Sequence, residues 1–172
     1  MTIGVVTADW IKRIAEDERK RDAVRAREEE IAARKADLVR LNGRRLLDEL
    51  RATIARDVEA FRDEFAGDPS RDIVVDPVDA TGGFVVRKPP SPAVLLTVAP
   101  HLERAAMDCH YRFTSTGGLP PREDRLELLF APDGVAGADT LQIKTQRTGQ
   151  VFASADALSE YLLGPVFTGR PR

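Results

Sequence analysis

Asp108, His110 and Arg112 stand two residues apart in a segment, Ala105 to Phe113, where apolar side chains alternate with polar ones. On an extended strand such residues share one face, so a carboxylate, an imidazole and a guanidinium could be lined up for acid–base work or anion binding. His101 and Glu103 lie close by in sequence. The opposite face of the same segment carries Ala105, Met107, Cys109, Tyr111 and Phe113. That pattern is also what any sheet with one buried side shows, and the plainer reading of the polar trio is a solvated face.

Other chemistry finds less support. Two histidines nine residues apart, with Cys109 between them, match no metal-ligand spacing, and strand parity turns Cys109 away from His110. The same parity argues against a cysteine–histidine nucleophile, so Cys109 is expected to be a small core residue. None of the serines sits in a Gly-x-Ser-x-Gly setting. Gly82-Gly83 and Gly117-Gly118 lack the strand-before, helix-after context of a phosphate loop. No catalytic residue, metal or cofactor is expected.

The elements that would position the trio begin with one long helix. From Leu38 onward Leu47, Leu50, Ile54, Val58, Phe61 and Phe65 recur at helical spacing and form a stripe that must be covered. Gly67 and Pro69 mark the stop, giving a helix over residues 38–66. Before it, residues 1–37 are dense in charge. Ile3 to Val6 could add an edge strand or a staple, and Thr7 is the expected N-cap. Acid-before-base pairs four apart (Asp9 with Arg13, Glu16 with Lys20, Asp17 with Arg21, Glu30 with Arg34) support an exposed helix at about 0.2 to 0.5 kcal/mol each. Asn42-Gly43 could turn the chain back, but helix formers resume at once, so a continuous helix is expected.

Beyond Arg71 the sequence becomes short β-rich segments divided by Gly and Pro, assigned to a sheet over 72–153. Ser154 caps a short helix over 155–163, which Gly164-Pro165 should end, leaving Thr168 to Arg172 loose. Connections this brief force antiparallel neighbours. The fold class is therefore α+β: a long N-terminal helix whose C-terminal half packs on an antiparallel meander of about five or six strands, with a short C-terminal helix. Residues 38–172 form one domain and residues 1–37 a largely solvated extension.

Within that extension the apolar residues are few: Trp10, Ile11, Ile14, Val24 and Ile31. Trp10, Asp17, Val24, Ile31 and Leu38 follow a seven-residue register, but the complementary seam positions are charged, so no two-position coiled-coil seam exists. An exposed Trp beside two isoleucines is costly to leave bare, and aromatic anchors recur in interfaces. These five residues are the expected protein interface.

Composition narrows the classes further. Among 172 residues the net charge is −2, with 26 basic and 28 acidic side chains interleaved, which disfavours a nucleic-acid partner. No run of 18 apolar residues and no leader pattern is present, and a single cysteine fits a reducing compartment. A cytoplasmic protein is expected, from a bacterial source to judge by heavy Ala, Arg, Asp and Gly usage. The functional expectation is a non-enzymatic interaction or structural module that self-associates or binds another protein through its charged helix, with no nucleic acid and no membrane. The alternative is a small-molecule site or enzyme on the sheet face at Asp108, His110 and Arg112, or at the Cys109 and Tyr111 face.

Overall fold

A computed structural model describes residues 8–133 and 140–172. Its first element is a single helix, α1 (Asp9–Glu64), of 56 residues. At about 1.5 Å per residue it is about 84 Å long. It runs unbroken through Asn42-Gly43. Gly43 is buried, and a Cβ there would lie 3.0 Å from Leu102 Cδ2, so the glycine serves close approach rather than a turn. Ala8 occupies the cap position without a side-chain bond, while Thr7 and the Ile3 to Val6 run lie outside the described residues. Arg21 meets Glu18, three residues back, at 2.8 Å, and Arg25 lies 3.7 Å from Asp22.

Among the described residues the sheet has seven strands rather than five or six, in sequence order and antiparallel throughout. They are β1 (Val74–Val75), β2 (Phe84–Lys88), β3 (Ala93–His101), β4 (Ala106–Thr114), β5 (Arg122–Pro132), β6 (Leu141–Thr145) and β7 (Val151–Phe152). The excess comes from the two-residue end strands, too short to show alternation yet each paired with a neighbour. Pro100 sits opposite Met107 next to the last residue of β3, where the ladder is finishing. Ala105 is not part of β4. It adopts φ 50 after a 3-10 turn over Leu102–Arg104 and donates its N–H to Leu102 O, so β4 starts one residue later.

α2 (Ala155–Thr168) begins as expected, with the Ser154 side chain accepting from Ala157 N, but it does not end at Gly164-Pro165. Helical dihedrals continue through Pro165 because the residues beyond it are held by packing: Val166 is buried, and Phe167 stacks on Phe61 of α1 with ring centroids 4.0 Å apart. The stop is Gly169 at φ 68. A Cβ on Gly169 would also strike Pro92 Cγ at 2.5 Å, so both dihedral and space require glycine there. Nor is the tail loose, since the Arg172 guanidinium lies 3.5 Å from the centre of the Tyr161 ring.

Both helices cover one face of the sheet. Leu47, Leu50, Ile54 and Val58 of α1 and Leu158, Leu162 and Val166 of α2 bury against Val86, Leu96, Met107, Cys109, Leu128 and Phe130. A polar clasp joins the helices: Arg56 reaches both Asp57 and Asp156, and Ser159 Oγ donates to Asp57 Oδ2 at 2.7 Å. A charged side chain is also enclosed within this layer. Lys88, by parity on the face of Phe84 and Val86, is 2 % exposed and donates Nζ to Pro92 O at 3.1 Å. Burial, aided by nearby Arg71, pushes its ammonium below the ordinary lysine value.

Candidate functional site

β4 places Asp108, His110 and Arg112 on the face away from the helices, since Met107, Cys109 and Tyr111 point into the core. Register fixes their cross-strand neighbours: Asp108 opposite Glu127, His110 opposite Arg125 and Arg112 opposite Glu123 on β5, with Ala99, Thr97 and Leu95 on the β3 side. These charges do not converge on one point. Asp108 Oδ2 lies 3.0 Å from His101 Nε2 and 3.7 Å from Arg104, a corner formed by the end of β3 and the turn after it. His101 Nδ1 in turn faces Glu103 at 3.7 Å. His110 is oriented instead toward β5, its Nε2 3.7 Å from Glu123 Oε2, beyond hydrogen-bond length. That nitrogen is shielded from solvent and makes no hydrogen bond. Arg112 is exposed.

Chemically this is two ionic arrangements on an open surface. His101 and Asp108 could exchange a proton, but the geometry positions neither against a nucleophile. The opposite face, at Cys109 and Tyr111, is filled from above by α2. The Tyr111 hydroxyl donates to Leu162 O, and desolvation pushes its pKa well above the usual phenol value. The Cys109 thiol is buried and pushed up to about 12 by desolvation, with Asp108 adding to the effect, so it is not poised as a nucleophile at neutral pH. Beside these residues a cleft of about 930 Å³ opens where β5 outruns β6, walled by Arg122 and Asp124, the Thr145 to Thr148 turn, and Tyr161 and Arg172. Two of its arginines are already engaged, Arg172 stacking on Tyr161 and Arg122 lying 3.6 Å from Asp124.

Lys88 occupies a chemically distinctive environment that is not among the sequence candidates; alternation from Phe84 and Val86 puts it on the buried side of β2. Its enclosure suits a hydrogen bond to the β2–β3 turn rather than attack on a substrate carbonyl.

The interface residues lie elsewhere. Along α1 the side chains are exposed from Asp9 to Asp37, with Ala15 and Lys35 half-buried, and Leu38 is the first buried one. Trp10, Ile14, Val24 and Ile31 are 58, 53, 57 and 58 % exposed, and Ile11 43 %. The helix therefore stands away from its own body over this length, about 44 Å at the usual rise. Among the described residues no helix is long and apolar enough to cross a membrane. No protein-family model, curated protein or solved structure matches this chain.

Proposed function

We propose that this protein is a non-enzymatic assembly module in which the Asp9 to Asp37 arm of α1 associates with the arm of a second copy, while the sheet and the packed half of α1 form the body that carries it. The observation behind this reading is the change of environment within one continuous helix: from Leu38 onward one stripe of side chains is buried, whereas Trp10, Ile11, Ile14, Val24 and Ile31 remain in solvent. Five large apolar side chains on an otherwise charged helix are costly unless something covers them. Light scattering and small-angle X-ray scattering of the full chain test it. A concentration-dependent dimer that Trp10→Ser with Ile14→Ser converts to monomer is expected; a monomer at every concentration overturns the reading.

A small-molecule site on the outer sheet face is the second reading, favoured by the shielded, unbonded Nε2 of His110 beside Glu123. It predicts that the imidazole nitrogen resonances of His110 shift on titration with small carboxylic acids or amines. Unchanged resonances across such a series would end it.

A further inference from the structure

Most of the sheet's backbone is paired on both sides, and the stretch that is not opens into a cleft. β1 and β7, which end the sheet, have two residues each. β5 runs from Arg122 to Pro132, yet β6 pairs only with Leu128 to Pro132. Past Leu128 one further bond is made on that side, Gln146 N to Glu127 O at 2.9 Å. The reason is that β6 closes onto β7 through a tight loop, in which Gly149, at φ 71, donates to Thr145 O and Thr145 donates to Gln150 O. In an antiparallel ladder the N–H and C=O groups of successive residues point to opposite neighbours. Phe130 N reaches Ala105 O at the start of β4, so even-numbered residues of β5 bond toward β4 and odd-numbered ones toward β6. Glu123 and Arg125 therefore hold N–H and C=O toward the open side, with no backbone partner there among the described residues. Strand edges of this kind are usually short or covered, because they invite another strand.

The space beside this edge is the cleft of about 930 Å³. A strand laid there would continue the line of β6, with alternate side chains directed toward α2 or toward the outer face. On the α2 side, among the described residues, the guanidinium groups of Arg122, Arg147 and Arg172 stand against a single carboxylate, Asp124. The other acids at the cleft, Asp108 and Glu127, belong by parity to the outer face. Arg147 is exposed on the β6–β7 turn and has no hydrogen-bond or ion-pair partner among the described residues. Arg172, although stacked on Tyr161, acts by its charge on both Tyr111 and Cys109, which puts its guanidinium at the inner wall. A small anion fits such arginines but offers no donor to the open C=O groups of Glu123 and Arg125. An extended peptide offers donors and acceptors together. We infer that the open edge of β5 docks an extended acidic segment of a partner protein, which adds as a strand beside Glu123 and Arg125 and directs the carboxylate of every second residue toward Arg122, Arg147 and Arg172. The site uses no residue of the arm, so it stands or falls apart from the assembly reading.

The probe is an acetylated and amidated peptide alternating Thr and Glu over about six residues, the span of the open edge. Titrated into the full-length protein, it should bind saturably, shift the backbone amide resonances of Glu123 and Arg125, and slow their exchange with solvent. Arg147→Glu should weaken binding at least about tenfold, because it turns an attraction into a repulsion, and should leave thermal unfolding unmoved. The same peptide N-methylated at every residue keeps its carboxylates but cannot donate to a strand, and it should not bind. A peptide alternating Thr and Lys should not bind either. Glutarate, or the N-methylated peptide, giving the same affinity and the same amide shifts would reduce the cleft to a simple anion site and overturn strand addition. Equal binding of the Thr–Lys peptide would overturn the acidic preference. Amides of Glu123 and Arg125 that stay unmoved up to about 1 mM peptide would discard the docking site altogether, whatever the chain's state of association.

Discussion

Asp9 to Asp37 and Leu38 to Glu64 belong to one helix with one set of backbone hydrogen bonds, yet different forces hold them. In the second half a stripe of Leu47, Leu50, Ile54 and Val58 is buried, and burial rather than propensity fixes the helix in place. The first half has no such stripe. It depends on helix-forming residues and on short-range ion pairs such as Glu18 with Arg21, which are exposed and modest. The comparison teaches that helical structure by itself says little about stability: one half should respond to changes of volume and the other to changes of charge.

Truncation in the packed half should therefore have the largest effect. Leu50→Ala, at a 1 % exposed position, is expected to lower unfolding stability by roughly 3 to 5 kcal/mol in denaturant titration while leaving self-association unchanged once folded. If the same change dissolves the assembly at low temperature where the body is intact, the two halves are not independent.

The body should next reveal itself in alkaline solution. Cys109 has an ordinary value of 9.0 and is pushed up to about 12 by burial. As pH rises past 9.0 the unfolded chain loses the thiol proton while the folded chain keeps it, so stability falls from pH 9 toward 12, by about 4 kcal/mol at the end of that window. Cys109→Ala should flatten this fall relative to wild type. Lys88 acts with the opposite sign: its lowered value means the unfolded chain binds more protons, so its share of stability rises with pH up to its ordinary 10.5. Lys88 is common to both proteins, so the difference between the two pH profiles isolates the thiol. Parallel profiles would show that Cys109 is solvated.

Smaller still is the loss expected for Tyr111→Phe, which removes the bond to Leu162 O beneath α2 and should cost about 1 to 2 kcal/mol. The smallest effect on folding belongs to the arm. Val24→Ala, at an exposed position, should move unfolding stability by no more than about 0.5 kcal/mol but weaken association measurably by sedimentation. A stability loss as large as that of Leu50→Ala would erase the distinction between the halves.

Much of this architecture is legible in the residues. The boundary at Leu38 shows because apolar spacing begins there, and strand parity through Met107, Cys109 and Tyr111 correctly puts Asp108 and His110 on the outer face. What sequence could not show depends on distant partners. Gly164-Pro165 reads as a stop, and only the burial of Val166 and the stacking of Phe167 on Phe61 carry α2 across it. Two-residue strands such as β7 have no alternation to detect and exist because a neighbour pairs with them. In the outer-face cluster, the link from His101 to Asp108 and the approach of Glu123 to His110 follow from strand register, which spacing along β4 alone does not determine.

The clasp between the helices has a consequence for how the chain is made. Arg56 and Asp57 on α1 meet Asp156 and Ser159 on α2 across a separation of 100 and 102 residues. A ribosome adding about 5 to 20 residues per second leaves an interval on the order of 5 to 20 seconds between the emergence of these two surfaces. Throughout it the end of α1 nearest the clasp, with Val58 and Phe61, lacks the helix that covers it. The nascent chain is then most vulnerable to clumping with its neighbours on the same messenger, and chaperone capture would be most productive in that interval.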